Sequence, residues 1–292
     1  MRITKENAAE IFKNAKAVFF DMDGVLWRSE NAIPNVNRAI AALQKRHIPI
    51  AYVTNNAART REHHAEKIKR LGIDSADGLV SRIYTPAYAA TKVLKPGSKV
   101  YGIGEDDMFK ELEAAGITVV GRGHDALRCN PQFEGLPPEI DRDINGVVVG
   151  FDSRCNFYKL TYATRCLLEI PGCKFYATNT DARVPVTGGV IVPGSGAFLA
   201  SIVDATGKEP TVIGKPQRTF WDIVSKDLKL DSPEDVIMVG DNLDTDIAFG
   251  NRCGLKTLLV LSGATTNEMV DALPEDSISK PTYVASSLGD LY

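Results

Sequence analysis

In the first third of the chain, short apolar runs alternate with longer stretches in which apolar residues recur every three or four positions. Residues 17–20 (Ala-Val-Phe-Phe) and 48–54 predict strands buried on both faces. Residues 35–46 place Val36, Ala39, Ile40 and Leu43 on one side, which is the spacing of a helix with a single apolar face. Residues 60–71 predict a more polar helix, capped by Thr60 and ended by Gly72. The last third repeats the rhythm, with strands expected at 211–213, 236–239 and 257–261 and helices at 217–230 and 243–253. Strand and helix in strict alternation imply a parallel sheet covered on both sides.

The middle of the chain has a different texture. Strands are expected at 99–103, 146–151 and 174–177, and helices at 106–115, 156–170 and 197–205. A polar stretch rich in glycine and proline, 121–143, reads as an extended surface loop. The fold class expected is α/β: a Rossmann-like parallel-sheet core with an inserted α/β cap domain. The expected division is core at 1–96, cap at 97–209 and core again at 210–292.

Composition narrows the functional classes. The chain has 292 residues, 44% of them hydrophobic and 24% charged, an ordinary globular balance. A net charge of −3 gives no basic field for general nucleic-acid or membrane-surface binding. The five cysteines (Cys129, Cys155, Cys166, Cys173 and Cys253) include no Cys-x-x-Cys pair, so reduced thiols are expected rather than a disulfide framework or a zinc site. The polar N-terminal residues lack the apolar core of a signal peptide, and the expected compartment is cytoplasmic. The four histidines, His47, His63, His64 and His124, match no motif and are expected on surfaces.

Four polar constellations follow expected core strands. In open parallel sheets, ligands bind beyond the strands' carboxyl ends, so residues far apart in the chain can meet there. Asp21-Met22-Asp23-Gly24 places two carboxylates on one side of a strand end. They fit a metal-assisted nucleophile with its proton donor, or a plain turn. Thr54-Asn55-Asn56 offers a hydroxyl and two amides suited to phosphate oxygens, and is also an ordinary turn sequence. Gly214-Lys215-Pro216 holds a lysine that could supply positive charge to a phosphoryl group, or lie on the surface. Asp241-Asn242-Leu243-Asp244-Thr245-Asp246 is a hard-oxygen cluster of the kind magnesium prefers, with Asp244 read as the cap of the following helix. Trp27 lies close behind the first motif and could line a pocket or pack in the core.

Taken in order, Asp21-x-Asp23-Gly24, Thr54-Asn55-Asn56, Gly214-Lys215-Pro216 and Gly240-Asp241-x-x-x-Thr245-Asp246 resemble the four motifs of the haloacid dehalogenase superfamily. The match spans nearly the whole chain. Within the superfamily the chain resembles phosphatases with a large α/β cap: the NagD-type, 4-nitrophenylphosphatase, phosphoglycolate phosphatase and pyridoxal phosphate phosphatase group. The segments Ala177-Thr178-Asn179-x-Asp181 and Pro193-Gly194-Ser195-Gly196 match that group as well.

The resemblance implies a magnesium-dependent phosphatase acting on a small phosphorylated metabolite through an aspartyl phosphate. It implies Asp21 as nucleophile and Asp23 as acid–base. Mg²⁺ would be held by the Asp21 and Asp241 side chains and the Asp23 carbonyl. Thr54, Asn55, Asn56 and Lys215 would bind the phosphoryl group, and Asp246 would orient Lys215 or a metal-bound water. An acid at position 23 disfavours halide displacement, and its place after the nucleophile departs from the Lys-Thr of ion-pumping ATPases. The loop 179–185 is the candidate for leaving-group choice. Val184 stands where pyridoxal phosphate phosphatases carry a histidine, and the preceding Arg183 could pair with a small carboxylate such as that of phosphoglycolate. The resemblance also implies a homodimer through the cap, with the apolar 197–203 segment as interface or core. The rival class is a non-catalytic regulatory protein on the same fold.

Overall fold

The computed structural model describes residues 1–4, 8, 11–123, 125, 139–185 and 190–292. They form two compact units. The first comprises Met1–Thr54, Arg61–Tyr84 and Lys215–Tyr292, and the second Asn55–Thr60 and Thr85–Gly214.

The first unit is built on a six-stranded sheet. Its order is Tyr283–Ala285, Lys256–Val260, Val236–Gly240, Ala17–Phe20, Ile50–Val53, Ile83–Tyr84, and every pairing is parallel. The three central strands are buried along their whole length, which is why their sequences are continuously apolar rather than alternating. Successive residues still face opposite ways. Phe20 lies 6.3 Å from Tyr52, in the cluster that receives Val36, Ala39, Ile40 and Leu43 of the Val36–Lys45 helix. Phe19 packs on the other side, 6.0 Å from Trp221 of the Arg218–Leu228 helix. The chain runs from Ala17–Phe20 to one side of the sheet and returns on its other side at Val236–Gly240. The order therefore reverses at the carboxyl ends of these two strands, where an open α/β sheet leaves a crevice.

The second unit carries a five-stranded sheet in the order Thr211–Val212, Lys174–Ala177, Gly146–Val149, Lys99–Ile103, Thr118–Val120, again parallel throughout. The Phe157–Glu169 helix starts at Asn156, whose side chain accepts from the Lys159 N–H at 3.0 Å. Leu199 and Ile202 of the Ser195–Thr206 helix are buried in this unit's core, while Ala200, Ser201 and Asp204 face outward.

The seams fall at Tyr84/Thr85 and Gly214/Lys215, against the expected 96/97 and 209/210. Two elements account for the difference. The Pro86–Val93 helix, capped by the Thr85 hydroxyl at 3.1 Å from Tyr88 N, packs with Asp106–Ala114 in the second unit. Thr211–Val212 is a strand as expected but pairs with Lys174–Ala177, so it belongs to the second sheet and not to the core sheet. A third difference is the short piece Asn55–Thr60, which groups with the second unit.

Of the 121–143 stretch, residues 124 and 126–138 lie outside the described residues, together with His124 and Cys129. Cys155, Cys166, Cys173 and Cys253 form no disulfide. His64, expected at the surface, is buried in the Arg61–Arg70 helix face that packs inward with Ala65 and Ile68. Among the described residues no helix is long and apolar enough to cross a membrane.

Candidate active site

Asp21 and Asp241 leave adjacent parallel strands. The Asp21 N–H donates to the Val239 carbonyl at 2.9 Å, continuing the ladder one step beyond Phe20. This pairing sets the two carboxylates side by side above the switch point. Lys215 reaches the same place and is 2% exposed. Its Nζ donates to Asp21 Oδ1 at 2.7 Å, Asp246 Oδ1 at 2.6 Å and the Val53 carbonyl at 2.7 Å. Three acceptors match the three hydrogens of an ammonium group, so the buried charge is fully hydrogen-bonded. The Lys215–Pro216 peptide is cis.

Asp246 is placed by a π-helical turn, Leu243–Ile247, ahead of the Ala248–Cys253 helix. The turn is held at its start by the Asn242 side chain, which accepts from Asp244 N at 2.9 Å and Thr245 N at 3.2 Å. Asn242 is therefore the cap, and not the expected Asp244, which is exposed. The wide turn points Asp246 back at its own strand end, where Oδ2 accepts from the N–H groups of Asp241 and Asn242, each at 3.1 Å.

The carboxylates of Asp21, Asp241 and Asp246 each offer an oxygen, all lying within 4.8 Å of one another. Fully ionised, three carboxylates against one ammonium would carry an excess of two negative charges in a buried place. Burial pushes the Asp21 carboxyl well above its usual range; Lys215 opposes this, while Asp246 and Asp241 add to it. Burial and then Asp246 push Asp241 up to about 7. Burial works against the Lys215 charge too, but Asp21 and Asp246 outweigh it and raise its pKa above the ordinary lysine value. A hard divalent cation fits this donor set by oxygen chemistry and by charge. Asp246 is the least suited ligand, because Lys215 and two backbone N–H groups already occupy its oxygens. Asp21 and Asp241 are the ones with coordinating capacity left.

Glycines make room for the cluster. Gly24 turns the chain with φ +82°, and a Cβ there would overlap Asp241 and stand 3.0 Å from Gly263 Cα. A Cβ on Gly263 would overlap Asp241 Oδ2. Gly263 belongs to a loop after the Lys256–Val260 strand that lies outside the four motifs. Its neighbour Ala264 donates its N–H to Asp241 Oδ2 at 2.6 Å, and the Ser262 hydroxyl donates to the Gly24 carbonyl at 2.6 Å. The available signal was a small Ser-Gly-Ala turn following an apolar run, the same format as the other strand ends.

Asp23 lies beside Asp21 but is exposed, and its Oδ1 accepts from the Trp27 indole N–H at 2.7 Å. Trp27 itself is buried. Thr54 is buried at the end of Ile50–Val53. Asn55 and Asn56 fall in the second unit. The Asn55 carbonyl accepts from Asn179 Nδ2 at 2.9 Å, and Asn56 Oδ1 accepts from Ala58 N at 2.9 Å, a local turn bond. Asn179 Oδ1 also receives the Asp181 N–H at 3.0 Å and the Ser195 hydroxyl, so the two segments quoted for the cap meet inside that unit. Arg183 stands exposed on a two-stranded antiparallel ribbon, Arg183–Pro185 with Ile191–Pro193. The first unit thus gathers Asp21, Asp23, Thr54, Lys215, Asp241 and Asp246, whereas Asn55, Asn56 and Arg183 belong to the second.

Two family models match the chain. A haloacid dehalogenase-like hydrolase model covers residues 18–118, and a HAD-hydrolase-like model covers residues 212–291. The chain is 36% identical to glycerol-3-phosphate phosphatase of Homo sapiens, over 100% of this chain and 94% of that protein. It is also 36% identical to phosphoglycolate phosphatase 1A, chloroplastic, of Arabidopsis thaliana, over 98% of this chain and 78% of that one. Among solved structures, p-nitrophenyl phosphatase from Archaeoglobus fulgidus superposes with a TM-score of 0.80 at 31% identity, covering 95% of this chain and 98% of its own. Glycerol phosphate phosphatase Rv1692 from Mycobacterium tuberculosis in complex with magnesium superposes with a TM-score of 0.79 at 26% identity, covering 100% of this chain and 79% of its own.

Proposed function

The chain belongs to the haloacid dehalogenase-like hydrolases and is a phosphoric monoester hydrolase; on that premise we propose that it hydrolyses small phosphomonoesters in two in-line steps at Asp21, with Asp23 as acid–base. The observation that carries this reading is the buried triad in which Lys215 bridges Asp21 and Asp246 while Asp241 stands alongside.

In the first step an Asp21 carboxylate oxygen attacks phosphorus, and the bond to the leaving oxygen breaks as Asp23 gives that oxygen its proton. The products are the alcohol and a phosphorylated Asp21. In the second, Asp23 takes a proton from water, the water attacks phosphorus, and inorganic phosphate leaves with Asp21 restored. Lys215 holds Asp21 in one orientation and offsets negative charge at the site. Asp246 acts on the reaction through Lys215, which it anchors from the opposite side. The buried Thr54 hydroxyl at the neighbouring strand end is proposed to bind a phosphoryl oxygen. Mg²⁺ is the proposed cation, held by the Asp21 and Asp241 side chains with the Asp23 carbonyl; when bound, it shields the nucleophile from the substrate's negative charge.

The substrates proposed are small: glycerol phosphate and phosphoglycolate, the compounds for which the relatives are named, and 4-nitrophenyl phosphate as a reporter. Asn55 and Asn56 remain proposed phosphate contacts, and Arg183 a proposed contact for a substrate carboxylate. Phosphate release from this panel, alongside pyridoxal phosphate, sugar phosphates and nucleotides, tests the reading. Release from glycerol phosphate or phosphoglycolate that EDTA stops and Mg²⁺ restores supports it. Turnover that is indifferent to EDTA, or confined to nucleotides, contradicts it.

A further inference from the structure

We infer that Trp27 is a positioning residue that fixes the direction in which Asp23 delivers its proton; this rests on the acid–base role proposed for Asp23. The loop between them is closed on itself. The Met22 carbonyl accepts from Val25 N at 3.2 Å and Leu26 N at 2.8 Å, and the Gly24 N–H donates to the Trp27 carbonyl at 2.8 Å. Trp27 then enters a short ribbon, Trp27–Arg28 with Asn31–Ala32. This geometry returns the indole beside the carboxylate four residues earlier, where Nε1 donates to Asp23 Oδ1 at 2.7 Å.

The two partners differ sharply in freedom. Asp23 is exposed, and an exposed aspartate samples several rotamers. Trp27 is 1% exposed and belongs to the main apolar cluster of its unit. Its ring is also held from the face: Lys67 Nζ lies 4.6 Å from the ring centroid, and is itself held by the Ser29 carbonyl at 2.8 Å and by Glu30 at 3.4 Å. The rigid member therefore sets the position of the mobile one. An indole N–H only donates. Oδ1 is thereby committed as an acceptor, and the proton passed to the leaving oxygen, and later taken from water, travels through Oδ2. A buried tryptophan could have spent its N–H on a backbone carbonyl; here it is spent on the one carboxylate of the group that is exposed.

Trp27→Phe keeps an aromatic ring and removes the donor. On an alkyl phosphate such as glycerol phosphate, kcat/KM, which reads the steps up to release of the alcohol and excludes the shared hydrolysis of the aspartyl phosphate, should fall roughly ten- to a hundredfold, the scale of one hydrogen bond to a charged group. The loss on 4-nitrophenyl phosphate should be clearly smaller, because nitrophenolate leaves without a proton. In the Asp23→Asn background the same substitution should cost less than about twofold, since the group it acts through is already disabled. Equal losses on both substrates, or losses that multiply fully with those of Asp23→Asn, would overturn the inference and leave a purely structural tryptophan. Should Trp27→Phe fail to fold, benzothienylalanine placed at position 27 alone replaces N–H by sulfur within the same outline, and the same outcomes decide. If Asp23→Asn by itself keeps full turnover of the alkyl ester, the acid–base reading falls, and the role of Trp27 with it.

Discussion

Lys215 and Asp21 are 194 positions apart in the chain, yet the lysine ammonium stands 2.7 Å from Asp21 Oδ1 with almost no exposure to solvent. The pair belongs to two segments of the first unit that the whole second unit separates in sequence. Its ammonium is shared with Asp246 and with the backbone of a third segment at Val53. Removing this one side chain disturbs three strand ends together.

Lys215→Met should therefore reduce kcat/KM by a thousandfold or more and also destabilise the fold. Leaving two buried carboxylates without their cation costs about 3–5 kcal/mol. Lys215→Arg should not rescue activity, since a planar fork cannot reproduce three tetrahedral bonds. Steady-state kinetics with urea unfolding checks both; near-normal turnover by either variant would contradict the bridging role.

Gly263→Ala tests the proposed cation site apart from the rest of the chemistry. The added methyl overlaps Asp241 Oδ2 and must push that carboxylate aside or shift the loop that donates Ala264 N–H. Divalent-cation affinity should fall by about tenfold or more, in the range seen for changes beside metal ligands. Calorimetric Mg²⁺ titration reads the effect directly, and unchanged affinity would place the cation elsewhere.

Asp241, pushed up to about 7 by burial and Asp246, sets a pH dependence. Its folded-state pKa lies above the unfolded value of 3.8. With the cation chelated, this group's contribution to stability is present in full below that value and is lost as pH rises through about 7. Cation binding has the opposite slope, because the proton must leave first, so Mg²⁺ affinity should weaken by up to about tenfold per unit below pH 7. Thermal unfolding in EDTA and in Mg²⁺ at pH 5.5 and 8 should display both trends. Asp241→Asn should reduce the trend seen in EDTA, the raised Asp21 carboxyl supplying what remains.

A second buried polar cluster in the first unit is expected to serve its stability and not the chemistry. Buried Asp74 accepts from the Tyr52 hydroxyl at 2.7 Å, Arg82 Nη1 at 2.8 Å and Ala76 N at 2.9 Å. Burial pushes its carboxyl up, but Arg82, Ala76 N and Tyr52 outweigh this and hold it below the usual value. Its contribution is thus lost as pH falls through that lowered pKa. Asp74→Ala should cost about 3 kcal/mol in chemical denaturation while kcat at moderate temperature stays within about twofold. A large loss of kcat in a variant that remains folded would show that the cluster reaches the site.

The strand ends were legible because their strands are buried on both faces. Ala17–Phe20, Ile50–Val53 and Val236–Gly240 are continuous apolar runs, and the polar residues behind them stand out. Thr211–Val212 shows the limit of that signal. Two residues of strand propensity do not say which sheet they will join, and this strand went to the second unit. The Pro86–Val93 helix gives a weak apolar pattern because its buried side is made largely of alanines, although Thr85-Pro86 carries a helix-start signature. The π turn that aims Asp246, the indole bond to Asp23 and the Ala264 N–H on Asp241 depend on three-dimensional closure of loops. Spacing alone does not encode them.

Asp21 itself is proposed to carry the phosphoryl group between the two steps. Turnover of a phosphomonoester should be stopped in mid-course with acid, the protein reduced with borohydride, and its aspartates mapped by peptide mass spectrometry. An acyl phosphate on Asp21 would be reduced to an alcohol at position 21 alone, and the product would be missing from Asp21→Asn. Reduction at Asp241 or Asp246 instead, or sustained turnover with no aspartate ever reduced, would contradict it.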